Sequence, residues 1–120
     1  MRRKTILVVD DEAIWRNLLC RLLTPAGYRV ITAPSGACGL QAARTGDADC
    51  VILDYHLRDG TAREFCPAMR AAAPRRVPVI IFSSEPSAAD LLTCEGGADA
   101  FFLKTTPLRT LLSAIRDLTG

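Results

Sequence analysis

The sequence predicts an α/β domain: a doubly wound, five-stranded parallel sheet with helices on both faces. Three observations predict it. Short β-branched runs, apolar at every position, alternate with longer stretches whose apolar residues recur every three or four positions. The 120 residues match one domain around one core. Strands and helices that alternate in so short a chain are accommodated by right-handed βαβ crossovers, which make the strands parallel.

Ile6 to Val9 is the first strand, closing on Asp10 and Asp11. A helix follows with Ile14, Leu18, Leu19, Leu22 and Leu23 as its apolar stripe, stopped by Pro25 and Gly27. Tyr28 to Thr32 reads as the second strand, and Ser35 to Arg44 as a helix turning Ala37, Leu40 and Ala42 or Ala43 inward. After a turn over Gly46 to Asp49, Cys50 to Leu53 is a third buried strand, closing on Asp54. Asp59 and Gly60 mark a loop, and Phe65, Cys66 and Met69 stripe a helix that runs toward Ala73 and Pro74. Val77 to Phe82 is the fourth strand, with Pro78 near its start where a missing N–H is tolerated, and it closes on Ser83 and Ser84. Ser87 to Glu95 predicts a weaker, polar helix. Ala100 to Leu103 is the fifth strand, closing on Lys104, and Leu108, Leu111, Leu112, Ile115 and Leu118 make the clearest amphipathic helix. Thr106 is read as its cap and Pro107 as its first residue.

Fifteen Lys+Arg against thirteen Asp+Glu leave a formal charge of +2, scattered apart from Arg2, Arg3 and Lys4, so no nucleic-acid-binding stripe is expected. No apolar run reaches membrane-spanning length, and the first residues lack a secretory signal, which predicts a cytoplasmic protein. The five cysteines are odd in number, widely spaced and without a C-x-x-C pair, so they read as reduced and mostly buried thiols, not as a disulfide framework or zinc site.

In an open parallel sheet, ligands bind beyond the carboxyl ends of the strands. The residues there are Asp10, Asp11, Asp54, Ser83 and Lys104, each polar after an apolar run, and Lys104 is one of two lysines in the chain. Turn chemistry explains any one of them alone but explains the set poorly. Three carboxylates at one edge repel by roughly 1 to 4 kcal/mol per pair at contact distance, so a neutralising partner is expected. A hard cation such as Mg2+ suits carboxylates and a phosphate oxygen, a lysine supplies a point charge to a second oxygen, and a serine hydroxyl donates to a third. Asp54 is then placed as an in-line nucleophile toward phosphorus.

The segments ILVVDDE, VILDYHLRDG, VPVIIFSS and GADAFFLKT together resemble the receiver domain of bacterial two-component response regulators over nearly the whole chain. The resemblance implies a flavodoxin-like sheet of order 2-1-3-4-5, Mg2+, and a partner that is a sensor histidine kinase or histidine phosphotransfer protein. It implies Asp54 as phosphoacceptor, Asp11 as direct metal ligand, Asp10 as an acid acting through water, and His56 giving its backbone carbonyl to the metal. Ser83 matches the switch hydroxyl, Lys104 the phosphate-binding lysine and Phe101 the aromatic switch position. It further implies no direct nucleic acid contact by this domain and no membrane, and an apolar patch on the last two helices would add a homodimer. A chain opening MRRKTILVVDDE reads as an N-terminal receiver occupying residues 1–120.

The chain departs from the family pattern at three places. Arg58 stands where proline is usual, Ala62 where glycine is common, and Thr105 where proline often follows the lysine. A differently shaped loop after the third strand is expected, with the Arg58 charge close to the phosphate. Lys104–Thr105 is expected either trans with a shifted lysine, or cis at a strain of about 2.5 to 4 kcal/mol. Two other readings compete with a phosphorylation-dependent switch. One is a degenerate receiver that acts as an interaction module without phosphate. The other is an aspartyl-phosphate phosphatase of the haloacid dehalogenase type, which wants a second acid two residues after its nucleophile, a position held by Glu12 after Asp10 and by His56 after Asp54.

Overall fold

A computed structural model describes residues 3–92 and 97–120. The elements in chain order are β1 (Thr5–Val9), α1 (Ala13–Leu23), β2 (Arg29–Ala33), α2 (Gly36–Arg44), β3 (Cys50–Leu53), β4 (His56–Leu57) and β5 (Gly60–Thr61). They continue with α3 (Ala62–Ala72), β6 (Val79–Ser83), a 3-10 helix (Pro86–Leu92), β7 (Ala100–Leu103) and α4 (Leu108–Thr119). The main sheet is parallel throughout and ordered β2-β1-β3-β6-β7, which is the expected 2-1-3-4-5 once the small β4–β5 hairpin is set aside.

Alternation along the buried strands divides the core in two. Leu7, Val9, Val51, Leu53, Val79 and Ile81 point to the face covered by α2, α3 and the 3-10 helix, where Cys66, Met69 and Leu91 meet them. Ile6, Val8, Cys50, Ile52, Ile80 and Phe82 point to the other face, where α1 and α4 contribute Leu19, Leu23, Leu111 and Ile115. Both faces are covered, which is why the central strands are apolar at consecutive positions instead of alternating.

The structure corrects several expectations. On α1, Leu19 and Leu23 are fully buried with Trp15 and Leu22 beside them, whereas Ile14 is 71% and Leu18 36% exposed. The helix carries two neighbouring i, i+4 apolar pairs, and only one can face the sheet. On α2 the inward face is Gly36, Gly39 and Ala43, and Ala37 is exposed. A small-residue face lets α2 approach so closely that a Cβ on Gly39 would lie 2.7 Å from Val9 Cγ2 and 2.8 Å from Met69 Cε. The second strand runs one residue later than expected, over Arg29–Ala33. The fourth begins at Val79, because Pro78 has no N–H and enters the ladder only by accepting from Val51 N–H at 2.9 Å.

Pro107 is the cap of α4, not its first residue: its carbonyl accepts from Thr110 N–H at 2.9 Å, and Thr106 lies outside the helix. The helix expected over Ser87 to Glu95 is a 3-10 helix over Pro86–Leu92, and Glu95 lies outside the described residues. The segment around Asp59 and Gly60 is a tight antiparallel hairpin, with Gly60 at φ 154°. Cys50 and Cys66 are buried, but Cys20 is half-buried and Cys38 exposed, so the expectation of mostly buried thiols holds for two of the four described; Cys94 lies outside them. No helix among the described residues is long and apolar enough to cross a membrane.

The close α2 contact yields a prediction against simple helix propensity. At an open helical site Gly→Ala gains up to about 1 kcal/mol, but at Gly39 the new methyl meets the stiff, β-branched Val9. Overpacking, at a cost of about 1 to 3 kcal/mol, should outweigh that gain and lower the urea midpoint of Gly39→Ala, with Gln41→Ala on the exposed face as the neutral control.

Candidate functional site

Parallel strands end at the same edge, and the ladder sets the height of the polar residue after each. Asp54 N–H donates to Val9 C=O at 2.9 Å, Asp10 N–H to Ala33 C=O at 3.1 Å, and Lys104 N–H to Ser83 C=O at 2.9 Å. Asp10, Asp54, Ser83 and Lys104 are thereby brought together and buried, while Asp11 is half-buried.

The Lys104 ammonium sits between two carboxylates, 2.8 Å from Asp10 Oδ2 and 3.4 Å from Asp54 Oδ2, with its side chain 5% exposed. Asp10 is occupied on both oxygens, since Oδ1 accepts from Glu12 N–H at 2.9 Å. Its carbonyl accepts from Arg16 Nη1 at 2.7 Å, which ties the first turn of α1 to the end of β1. Asp54 is less compensated. Burial, then the neighbouring Asp10 charge, raise its carboxyl pKa from 3.8 to about 6, against the lowering effect of Lys104 and of a hydrogen bond from Tyr55 N–H.

Above these groups opens a cleft of about 320 Å3 lined by Asp11, Glu12, Asp54, His56, Ser83, Ser84, Glu85 and Lys104. Ser83 Oγ accepts from Glu85 N–H at 3.0 Å. The His56 side chain is 66% exposed and its Nε2 lies 4.0 Å from Glu85 Oε2. Phe101 stands apart: it pairs with Ile81 in the sheet and packs half-buried against the α2 and α3 side of the core. Arg58 is exposed on the β4–β5 turn and is not among the cleft-lining residues. The Lys104–Thr105 bond is trans, and the ammonium still reaches Asp54, so neither strain nor a displaced lysine is present.

The donors suit a hard divalent cation. Carboxylate oxygens of Asp10, Asp11 and Glu12 lie within 4.8 Å of one another beside Asp54, an all-oxygen set of excess negative charge with access from solvent. Sequence reasoning passed over Glu12 as a donor, although its place directly after the Asp pair was a signal. It also passed over Glu85, two residues beyond the strand end, and over Trp15, whose ring lies 4.9 Å from Lys104 Nζ. Nothing in the apolar periodicity of α1 distinguishes that contact from ordinary packing.

A model of the response regulator receiver domain matches residues 6–116. The transcriptional regulatory protein TcrA of Mycobacterium tuberculosis is 34% identical over 95% of this chain and 45% of its own length. The sensory/regulatory protein RpfC of Xanthomonas campestris is 31% identical over 98% of this chain and 17% of its own. The chain spans half or less of the length of these curated relatives. Among solved structures, the response regulator TrrA of Thermotoga maritima, in complex with Mg2+-BeF, superimposes with a TM-score of 0.86 at 29% identity, covering 96% of this chain and 98% of that one. The chemotaxis protein CheY4 of Vibrio cholerae does so with 0.85 at 26%, covering 98% and 99%.

The raised Asp54 carboxyl predicts a stability effect with a definite sign. Its folded-state pKa of about 6 exceeds the ordinary 3.8, so protonation favours the folded state, and its contribution is lost as pH rises through that interval. In Mg2+-free buffer Asp54→Asn should therefore be more stable than the parent at about pH 7, by at most roughly 3 kcal/mol, with Lys104 still held by Asp10. The gap in urea midpoints should close by about pH 4.

Proposed function

The chain belongs to the response regulator receiver domain family, and from that premise we propose that it is a phosphorylation-dependent switch of a two-component system, accepting a phosphoryl group on Asp54. The observation that carries the reading is the Lys104 ammonium held between Asp10 and Asp54 beneath an open, oxygen-lined cleft. The donor is a phosphohistidine on a sensor kinase or histidine phosphotransfer protein. The N–P bond of the donor breaks as Asp54 Oδ bonds to phosphorus, and the imidazole keeps the bonding pair and takes up a proton. Slow attack of water on the acyl phosphate restores Asp54, so the domain is a phosphoacceptor and not a turnover enzyme.

Asp11, Asp54 and the His56 carbonyl would hold Mg2+, with Asp10 acting through water and Glu12 adjoining. When bound, the cation supplies positive charge against the phosphoryl oxygens. Lys104 exchanges part of its carboxylate contact for a second phosphoryl oxygen, and the Ser83 hydroxyl, which now only accepts from Glu85 N–H, turns its proton to a third. Movement of Ser83 frees space that half-buried Phe101 can follow, which biases the β6–β7 side of the domain between two arrangements. Leu92 of the 3-10 helix and Leu118 of α4 are exposed large apolar residues available to a second copy. A cytoplasmic location follows from the reading.

Two features favour Asp54 over the phosphatase alternative. Both Asp10 oxygens are already engaged, Oδ1 by Glu12 N–H and Oδ2 by Lys104, and it is Asp54, not Asp10, that lines the open cleft. The degenerate alternative is disfavoured by the presence of all five site side chains at one edge.

Acetyl phosphate with Mg2+ should add the mass of one phosphoryl group, and beryllofluoride with Mg2+ should change the emission of Trp15, the single tryptophan. Both responses should vanish with EDTA and in Asp54→Asn. An Asp54→Asn protein that responds like the parent would remove the case for a switch.

A further inference from the structure

The cleft accounts for the partners of Lys104 on the acid side but not for what stands on its other side. There the indole of Trp15 lies with Lys104 Nζ 4.9 Å from the ring centroid. We propose that Trp15 is a positioning residue of the phosphoryl site, whose ring face holds the Lys104 ammonium at Asp54 without cancelling its charge. The inference rests on the phosphoryl-acceptor reading above.

Four observations on the chain carry it. The distance lies within the range over which an aromatic face attracts a cation, and the lysine side chain is 5% exposed, where that attraction is least weakened by water. The ring is itself fixed: it meets Phe82 edge to face, with centroids 5.5 Å apart at 88°, and Phe82 is fully buried in β6. The next residue of α1, Arg16, bonds the Asp10 carbonyl, so one turn of helix is locked to the same strand end and supplies the wall. Lys104, by contrast, follows a half-buried edge strand and is succeeded by exposed Thr105, so its long side chain depends on what surrounds the ammonium.

The choice of group has a chemical consequence. A third carboxylate at this place would hold the ammonium equally well and would neutralise it, leaving little positive charge to offer a phosphoryl oxygen. An indole face attracts the cation through its quadrupole and carries no net charge. It also denies the ammonium the hydrated positions that a flexible lysine otherwise prefers. The lysine is thus kept close to Asp54 and still electrophilic.

The test compares the parent with Trp15→Leu, which keeps apolar bulk without a ring, and Trp15→Phe, which keeps a smaller ring. Calorimetry measures the dissociation constant of Mg2+ alone, and then of beryllofluoride at saturating Mg2+. Mg2+ affinity should be unchanged in both variants, because the acids are untouched. Beryllofluoride binding should weaken by about tenfold in Trp15→Leu and by less in Trp15→Phe, the order expected for loss of a desolvated cation–ring contact. The Lys104 ε-methylene protons should lose their ring-current shift in Trp15→Leu and retain part of it in Trp15→Phe.

Beryllofluoride binding in Trp15→Leu equal to the parent overturns the inference, as does a parallel loss of Mg2+ and beryllofluoride affinity, which marks general loosening of the site. Should Trp15→Leu fail to fold, Trp15→Phe decides alone by the same two constants. A parent that takes up no beryllofluoride, or an Asp54→Asn protein that does, overturns the phosphoryl reading and this inference with it. A responsive parent beside an unaltered Trp15→Leu overturns only the role of the ring.

Discussion

The rest of the structure depends on one electrostatic constraint: two buried carboxylates share one buried ammonium. Asp10 and Asp54 are taken out of water at the ends of β1 and β3, and the single lysine that reaches them comes from the end of β7, 94 residues from Asp10. An ion that deep is tolerated only when paired, and here pairing is incomplete by design of the topology. The parallel order β2-β1-β3-β6-β7 puts those three strand ends at one edge, with β6 between β3 and β7 contributing Ser83. The fold therefore determines which charges meet, and the surplus acid makes the edge one whose oxygen donors suit a hard cation.

The opposite edge shows the same residue type used for the opposite purpose. Asp99, at the entry to β7, also suffers burial, which taken alone raises its carboxyl. Hydrogen bonds from Arg70 at 2.6 Å, Arg76 at 2.7 Å and Val79 N–H at 2.8 Å overcome that, and its pKa falls below the ordinary value. Asp99 thus joins α3, the segment before β6 and the start of β7 into one knot, with Arg70 also donating to the Gly97 carbonyl. A saturated acid holds structure, whereas an under-compensated one such as Asp54 remains available for chemistry. The contrast lies both in the number of donors and in depth, since Asp54 is buried and Asp99 only half-buried.

Much of this was legible because the signals are local. The parallel strands followed from consecutive apolar residues that close on Asp10, Asp54, Ser83 and Lys104, and the segments around them carried the family resemblance that implied their order. The errors share a physical origin in choices that periodicity leaves open. Ile14 and Leu18 are as apolar as Leu19 and Leu23, and only the geometry of the sheet decides which pair turns inward. Ala37 looks like a better core residue than Gly39, yet the close passage of α2 over Val9 and Met69 demands the absence of a side chain. Trp15 fits an ordinary core stripe, and its second role exists only once β7 brings Lys104 across the sheet. Glu12 and Glu85 were visible as charges, but their convergence on one cleft is a property of the tertiary structure.

The loop after β3 shows how a departure from the family pattern is absorbed. With Arg58 in place of the usual proline, the backbone there loses a fixed φ. The structure supplies restraint from elsewhere. Asp59, next in the chain, sends its carboxylate to the first turn of α2, where Oδ1 accepts from Gly36 N–H and Oδ2 from Ala37 N–H, each at 2.9 Å. Those two bonds are the main reason that its carboxyl stays below the ordinary pKa, and the positive end of the α2 dipole favours the same charge. Phe65 completes the clamp: its ring occupies the space that a side chain on Gly36 would need and lies 2.9 Å from where a Cβ on Gly60 would stand. The hairpin bearing His56 is therefore fastened at its turn to α2 and at its base to α3, which lets an exposed arginine replace a rigid proline while the residues beside Asp54 keep their place.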